Sequence, residues 1–385
     1  MKRTLYAPEH EAFRRTVRDF IAREAAPYIH DWERAGQVPR SVFKGLAGIG
    51  ALGFGIPEEY GGTGPAGYRF QAVIHEEVAL AAASIGHHHV NTGVVLPYLL
   101  GLANEEQRAR WLPGCAAGDI LLAIAMTEPG TGSDLAGIRT AAVRSADGGH
   151  YVLNGAKTFI TGGAVADLVL VVCRTAPYDP ANRRAGLSIL CVESGSEGFT
   201  VGRKADKIGR HSMDTAELSF AEVRVPVANL LGEEGGAFAQ LSRNLPRERL
   251  SIGVAGVAQA RAALRFTTEY VTGRRVFGSR VADFQNTKFV LAGCEAEFRA
   301  AEALADRGVE LDEAGELTAA DAARIKLFGT EVAGRVVDAC LQLHGGYGYM
   351  TEYPIARLYA DTRVSRIYGG TSEVMRSIIA KDLGL

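Results

Sequence analysis

Cysteine is scarce in this sequence. Cys115, Cys173, Cys191, Cys294 and Cys340 are odd in number and far apart, and no CxxC or zinc-type spacing joins them. A disulfide framework and a structural metal are therefore not expected, and isolated buried thiols are. Long hydrophobic runs are missing too. No stretch reaches about 18 uninterrupted apolar residues, and the opening MKRTLYAPEHEAFRR has no apolar signal segment. The expectation is a soluble, intracellular, cytoplasmic protein. Neither sign of charge dominates. A net charge of −2 asks for neither nucleic acid nor an anionic membrane. Several catalytic signatures are absent. No GxGxxG follows a strand and opens a helix, which argues against a nicotinamide Rossmann site. No GxxxxGK[ST] and no GxSxG occur, and His75-Glu76-Glu77-Val78-Ala79 lacks the second histidine of HExxH. His87, His88 and His89 are adjacent. Consecutive helical residues point about 100° apart, so they do not converge on one metal, and two of them are expected to be exposed or hydrogen-bonded. There is no internal repeat and no low-complexity run.

What is present is enough apolar residue, 47% of 385, for a large core in two or three domains. Residues 1–120 read as helical. Phe13, Val17, Phe20 and Ile21 recur at helical spacing, a turn-rich loop follows at Pro57–Gly64, and apolar helical runs lie near 70–84 and 91–104. From 121 to 231 the pattern changes to short β-rich runs: Leu121–Met126, His150–Leu153, Leu168–Cys173, Leu187–Val192 and Ala216–Phe220. No helical patterns separate them, so an antiparallel sheet is expected. From 232 to 385 the chain is helical again. Leu250–Leu264 is apolar nearly all round, as in the interior of a bundle, and further helices are expected near 281–307, 318–342 and 372–383. The fold class is thus mainly α with a central β domain (α + β).

Polar, glycine-bearing loops carry the chemistry. Ala125–Asp134 leaves a strand and exposes hydroxyls and backbone N–H groups. In Phe159-Ile160-Thr161-Gly162-Gly163 an aromatic and a hydroxyl two residues on share one side of a strand. Gln342–Tyr349 is rich in glycine and aromatics. In Ile367–Glu373 a glycine pair leads into a helix N-terminus able to hold an anion or a carbonyl oxygen. Leu245-Pro246-Arg247-Glu248-Arg249-Leu250 places one carboxylate at what reads as a helix start. Pro246 suits a first helical position, and acids are common in a first turn.

These stretches together resemble the acyl-CoA dehydrogenases, a family of flavin enzymes. PEEYGGTG, AMTEPGTGSDLAGIRT, LNGAKTFITGG, DTAELSFAEVRVP, GRRVFG with DFQNTKF, LQLHGGYGYMTEYP and RIYGGTSEVMR occur in the family's order across essentially the whole chain. The resemblance implies an N-terminal helical domain, a middle β domain and a C-terminal four-helix bundle, usually in a homotetramer. It implies that Ile124, Met126, Thr127, Gly132, Ser133, Phe159, Ile160, Thr161, Thr371, Ser372 and Glu373 contact FAD. Thr161 would donate near the reactive flavin nitrogen. Phe159 replaces the more frequent tryptophan. Arg274, Phe277, Gln285, Gln342, Gly345 and Gly346 match cofactor positions, and Arg274, Gln285 and 342–346 those that reach the FAD of a neighbouring subunit.

Many relatives carry the catalytic base as the glutamate of IYEGT, and here that position is Gly369. The long-chain and isovaleryl branches place it in an ERL motif instead, which LPRERL matches. The resemblance thus implies Glu248 as base, with Pro246, Arg249, Ser133, Gly369 and Gly370 lining the substrate, and it is strongest to the long-chain branch. Ala239 departs from the tyrosine those branches carry. The implied reaction is α,β-dehydrogenation of a fatty acyl-CoA to the trans-2-enoyl-CoA, with electrons passed to an electron-transfer flavoprotein. An oxidase-type relative that lets oxygen reach the flavin is the alternative.

Overall fold

The computed structural model describes residues 3–385. Six helices come first: α1 (Pro8–Glu24), α2 (Ile29–Ala35), α3 (Arg40–Gly48), α4 (Tyr68–Leu80), α5 (Leu96–Leu102) and α6 (Glu105–Ala117). A π-helical stretch, Val90–Val95, runs directly into α5. The strands follow: β1 (Leu122–Ala125), β2 (Ala141–Arg144), β3 (His150–Thr161), β4 (Leu168–Arg174), β5 (Leu187–Glu193), β6 (Phe199–Lys204), β7 (Thr215–Pro226) and β8 (Leu230–Leu231). Helices return with α7 (Ala237–Gly273). A short hairpin, β9 (Arg275–Val276) and β10 (Ser279–Arg280), leads to α8 (Gln285–Glu313), α9 (Ala319–Leu343), α10 (Pro354–Thr362) and α11 (Ser372–Asp382).

The strands form one sheet in the order β6-β7-β3-β2-β4-β5-β8, with β1 paired to β4. Most pairs are antiparallel, as the absence of helical crossovers requires. β4, however, is parallel to both β1 and β2. The β2–β3 hairpin and the turns after it return the chain to the end from which β1 started, so β4 enters in the same direction. β4 is buried at every position because it has a core on each face. Leu168, Leu170 and Val172 pack with Trp111, Leu112 and Cys115, whereas Val169, Val171 and Cys173 pack with Tyr151, Leu218 and Phe220.

The helical tail forms the four-helix bundle, with α7, α8 and α9 as its long members and α11 against α9. The α7–α9 crossing is close because glycines meet there. A Cβ on Gly253 would lie 2.8 Å from the Ile325 side chain, and one on Gly329 would lie 3.0 Å from the Gly253 carbonyl. Leu250–Leu264 is interior as its composition requires.

The start of α7 corrects the sequence reading. The helix opens at Ala237, nine residues before Pro246, and Glu248 lies in its interior. Burial explains the difference. Ala237 and Leu241 are packed into the core beneath the sheet, and tertiary packing overrides the preference of proline for a first turn. The N-terminal helices are fixed to this bundle by charge. Glu76 and Glu77 on α4 are buried, and Arg3 from the N-terminal segment, Arg14 and Arg18 from α1 and Arg261 from α7 converge on them. No helix among the described residues is long and apolar enough to cross a membrane.

Candidate active site

The interior of α7 presents Glu248 to the core, 6% exposed. The Tyr98 hydroxyl from α5 donates to Glu248 Oε1 at 2.7 Å. Burial raises the Glu248 carboxyl from 4.5 to about 7, while the Tyr98 hydrogen bond and the Arg249 charge pull the other way. Next along α7, Arg249 Nε donates to the carbonyl of Gly369 at 3.3 Å. Lys326 of α9, fully buried, donates from Nζ to the carbonyl of Gly370. Burial first, and then the Arg249 charge, lower that ammonium to about 8.

Two cations thus hold the two carbonyls of the Gly369-Gly370 turn. The amides of both glycines donate to no group among the described residues. Both glycines have positive φ, +66° and +96°, and a Cβ on Gly369 would fall 2.3 Å from Ile252 Cδ1. The turn therefore packs against α7 one turn beyond Glu248, with two N–H groups available to an external oxygen.

Three polar loops carry the residues expected on the flavin. Glu128 organises the first. Its carboxylate accepts the backbone amides of Arg139 and Thr140 at 2.8 and 2.9 Å, and its Oε1 meets buried Lys157 Nζ at 2.9 Å. Lys157 also donates to the Met126 carbonyl at 3.0 Å, which ties the loop to β3. Beyond this anchor Gly132 and Ser133 are exposed, and a Cβ on Gly130 or Gly132 would meet nothing within 4 Å. Ile124, Met126 and Thr127 are half-buried at its base. In the second loop the β3–β7 register slips between Lys157 and Ile160, and Phe159 takes φ +58° with 69% of its surface exposed. A bulky residue in the left-handed region, with its ring uncovered, is a strained feature of the kind found at binding sites. In the third, Thr371 caps α11 through the amide of Val374.

The sequence matches the family models for the acyl-CoA dehydrogenase N-terminal, middle and C-terminal domains over residues 7–119, 123–223 and 235–384. The chain belongs to the acyl-CoA dehydrogenase family. It is 41% identical to the mitochondrial long-chain specific acyl-CoA dehydrogenase of Sus scrofa over 99% of this chain and 88% of that protein. It is 34% identical to the acryloyl-CoA reductase (NADH) of Anaerotignum propionicum over 97% of this chain and 94% of that one. Among solved structures, an acyl-CoA dehydrogenase from Geobacillus kaustophilus superposes with a TM-score of 0.95 at 43% identity, covering 99% of both chains. One from Bacillus anthracis, complexed with FAD, superposes at 0.91 and 32% identity, covering all of this chain and 69% of that one.

This acyl-CoA dehydrogenase is a flavoprotein, and its loops fit FAD. Open space above Gly130 and Gly132, an uncovered aromatic at Phe159, and a helix N-terminus at Ser372 suit a flat ring and a pyrophosphate. Two side chains expected on the cofactor face elsewhere. Ile160 is 3% exposed and belongs to the core of the sheet, because alternation along β3 turns it away from Phe159 and Thr161. Only its backbone can reach the flavin side. Ser372 is likewise buried, its hydroxyl given to Glu331 Oε1 at 2.8 Å. Thr161 is half-buried, and Glu373 is exposed and pairs with Arg376.

The remaining expected cofactor residues lie on the outer surface of the bundle. The Arg274 guanidinium lies 5.4 Å from the Tyr347 ring centroid, beside Gln342, Gly345 and Gly346. Arg274, Gln285, Gln342, Gly345 and Gly346 are all exposed, and Phe277 is 97% exposed at φ +51°. Arg274 and the 342–346 loop are thus together, on an outward face. Pro246 is half-buried inside α7.

In the histidine run, two of the three, His88 and His89, are hydrogen-bonded, as expected, to the Ala51 carbonyl and the Ser251 hydroxyl. His87 and His88 are buried at 1% and 3%, and His89 is half-buried. They sit at the entry to the π-helical stretch, where its widened turn faces the core. His88 Nε2 lies 3.1 Å from the Ala51 carbonyl, and the His89 ring is 4.8 Å from that of His75. Tyr98 and Lys326 were not identifiable as site residues. Nothing local marks a tyrosine in an apolar helix or a lysine in a bundle, and the only signal would have been their burial.

Proposed function

We propose that this acyl-CoA dehydrogenase removes an α proton from a fatty acyl-CoA with Glu248, forming the trans-2-enoyl-CoA. The single observation that supports this most is the pairing of a buried carboxylate near neutrality with a carboxylate-free Gly369 turn beside it. An α proton is roughly a dozen pK units less acidic than a carboxylic acid, which is on the order of 16 kcal/mol uphill. A carboxylate alone does not supply that. The developing enolate oxygen needs donors in a dry site, and the free amides of Gly369 and Gly370 are such donors. Arg249 and Lys326 hold the turn in place by its carbonyls. Tyr98 orients Glu248 so that its second oxygen is left for the proton. FAD, when bound, accepts the β hydride. Pro246, Arg249, Ser133 and Gly370 line the thioester, and Thr127, Phe159, Thr161 and Thr371 bear on the flavin.

The acyl group is proposed to be long, in keeping with the Sus scrofa relative, and the electron acceptor is proposed to be an electron-transfer flavoprotein. The outward set around Arg274 is proposed to complete the FAD site of a neighbouring copy within a homotetramer, because its exposed guanidinium forms no ion pair among the described residues and packs only on the Tyr347 ring. The test is anaerobic addition of acyl-CoA thioesters of graded length to the yellow holoenzyme. Bleaching of the flavin with formation of 2-enoyl-CoA supports the reading. Stoichiometric hydrogen peroxide during aerobic turnover would instead support an oxidase. Oxidation of NADH with an enoyl-CoA would support a reductase.

A further inference from the structure

The face of α7 that carries Glu248 continues through Ser251, Ala255 and Gln259 at helical spacing. Ala255 and Gln259 border a cavity of about 120 Å³, which Tyr368 closes beside Gly369. The cavity therefore starts next to the proposed enolate donors and runs along α7 away from Glu248. Of the three flavin loops only the third reaches it, through Tyr368. Its position is that of the substrate's acyl chain, and this inference rests on that reading.

A cavity for a plain hydrocarbon chain needs only apolar walls, which Ile74, Val78, Ile85 and Met213 supply in part. The rest of the lining is polar, with the carboxylates of Glu33 and Asp361 beside the donors His75, His89, Gln259, Arg210 and Arg357. Gln259 uses its Oε1 to accept from Thr362 Oγ1 at 3.1 Å, and its amide nitrogen has no acceptor among the described residues. The Arg210 guanidinium reaches only the Asp361 carbonyl, at 3.3 Å, and forms no ion pair among the described residues. His75 and His89 meet edge to face, with buried Ser251 3.5 Å from His75 Nε2 and 3.0 Å from His89 Nε2. Burial and neighbouring positive charge keep both imidazoles neutral, His75 at about 3 and His89 well below its ordinary value. Neutral rings each keep one N–H to donate. Ser251 Oγ already meets a nitrogen of each ring, so the donors left without an acceptor among the described residues are the Gln259 amide nitrogen and the terminal nitrogens of Arg210, and such donors are satisfied when an acceptor enters the cavity.

We infer that the acyl chain accepted by this enzyme carries an oxygen function beyond its β carbon, held by His75, His89, Gln259 and Arg210. A hydroxyl, a keto oxygen and a carboxylate share the acceptor chemistry these donors read. Ser251 is about 5 Å and Gln259 about 16 Å along α7 from Glu248, so the oxygen belongs in the middle or far part of a long chain.

The test compares acyl-CoA pairs of equal length, roughly six to fourteen carbons, with and without a terminal hydroxyl, keto or carboxyl group. The readout is kcat/KM for flavin reduction by the wild-type holoenzyme. At least one oxygenated series is expected to exceed its plain counterpart by about tenfold or more. The arm that wins tells a neutral oxygen from a carboxylate. In the variant His75→Phe/His89→Leu, with FAD absorbance and melting temperature as controls for folding, the preference is expected to fall or reverse. Plain chains preferred or equal in every pair would overturn the inference while leaving the dehydrogenase reading intact. If neither kind of acyl-CoA reduces the flavin, both fall.

Discussion

At the scale of single residues, the proposed chemistry rests on the Glu248 carboxylate, kept near neutrality by burial. Its pKa is raised in the folded state from 4.5 to about 7 by burial. A raised acid binds its proton more tightly in the folded protein than in the unfolded one. Stability is therefore fullest below about pH 4.5, declines as pH rises toward 7, and is level above. The decline from this one group is on the order of 3 kcal/mol. Glu248→Gln should flatten that slope, measured by denaturant unfolding of the apoprotein at pH 5 and pH 8. Catalysis runs the opposite way, since a base must be ionised. The rate of flavin reduction is expected to rise with pH through a limb near 7. Tyr98→Phe removes the hydrogen bond that favours the ionised form, so the limb should move to higher pH and the plateau should fall several-fold. A merely structural tyrosine would lower stability without moving the limb.

The Gly369-Gly370 turn is the element that positions the proposed oxyanion donors. Gly369→Ala places a Cβ at positive φ and against Ile252 Cδ1. It should reduce kcat by about tenfold or more with little loss of FAD, checked by steady-state kinetics beside flavin absorbance. The first flavin loop depends on the buried Lys157–Glu128 pair. Lys157→Met leaves a buried carboxylate without its partner and should cost about 3–5 kcal/mol, read as a fall in unfolding free energy. The sequence pattern made such elements unequally legible. Glycine pairs, hydroxyls and the order of the loops are local features, so the flavin loops and the ERL segment could be read directly. The entry to α7 could not, because Ala237 and Leu241 extend the helix through contacts with a sheet far away in sequence. The burial of His87 and His88 has the same origin. Local composition left the alternatives of exposure and hydrogen bonding open for these histidines, and the fold decides for hydrogen bonding at His88.

For the whole molecule, the order helix, sheet, helix was legible from periodicity alone, and the bundle's interior from the apolar run at 250–264. The parallel pairing of β4 was not, because it depends on where the chain returns after the β2–β3 hairpin. Assembly is likewise invisible in local pattern. The outward cluster of Arg274, Phe277, Tyr347 and Tyr349 leaves large aromatic surface uncovered in one copy, Phe277 at 97% and Tyr349 at 84%. The holoenzyme is expected to sediment as a tetramer, and Phe277→Asp should shift it to smaller species with weaker FAD retention. A monomeric wild type that retains FAD would contradict that arrangement.

The claim on which the rest depends is that Glu248 takes the α proton. Its most direct test is anaerobic single-turnover reduction of the FAD-loaded Glu248→Gln protein by an acyl-CoA that reduces the parent enzyme. The variant is expected to bind FAD and acyl-CoA as the parent does and to reduce its flavin at least about a thousandfold more slowly. Flavin reduction within about tenfold of the parent rate would place the base elsewhere.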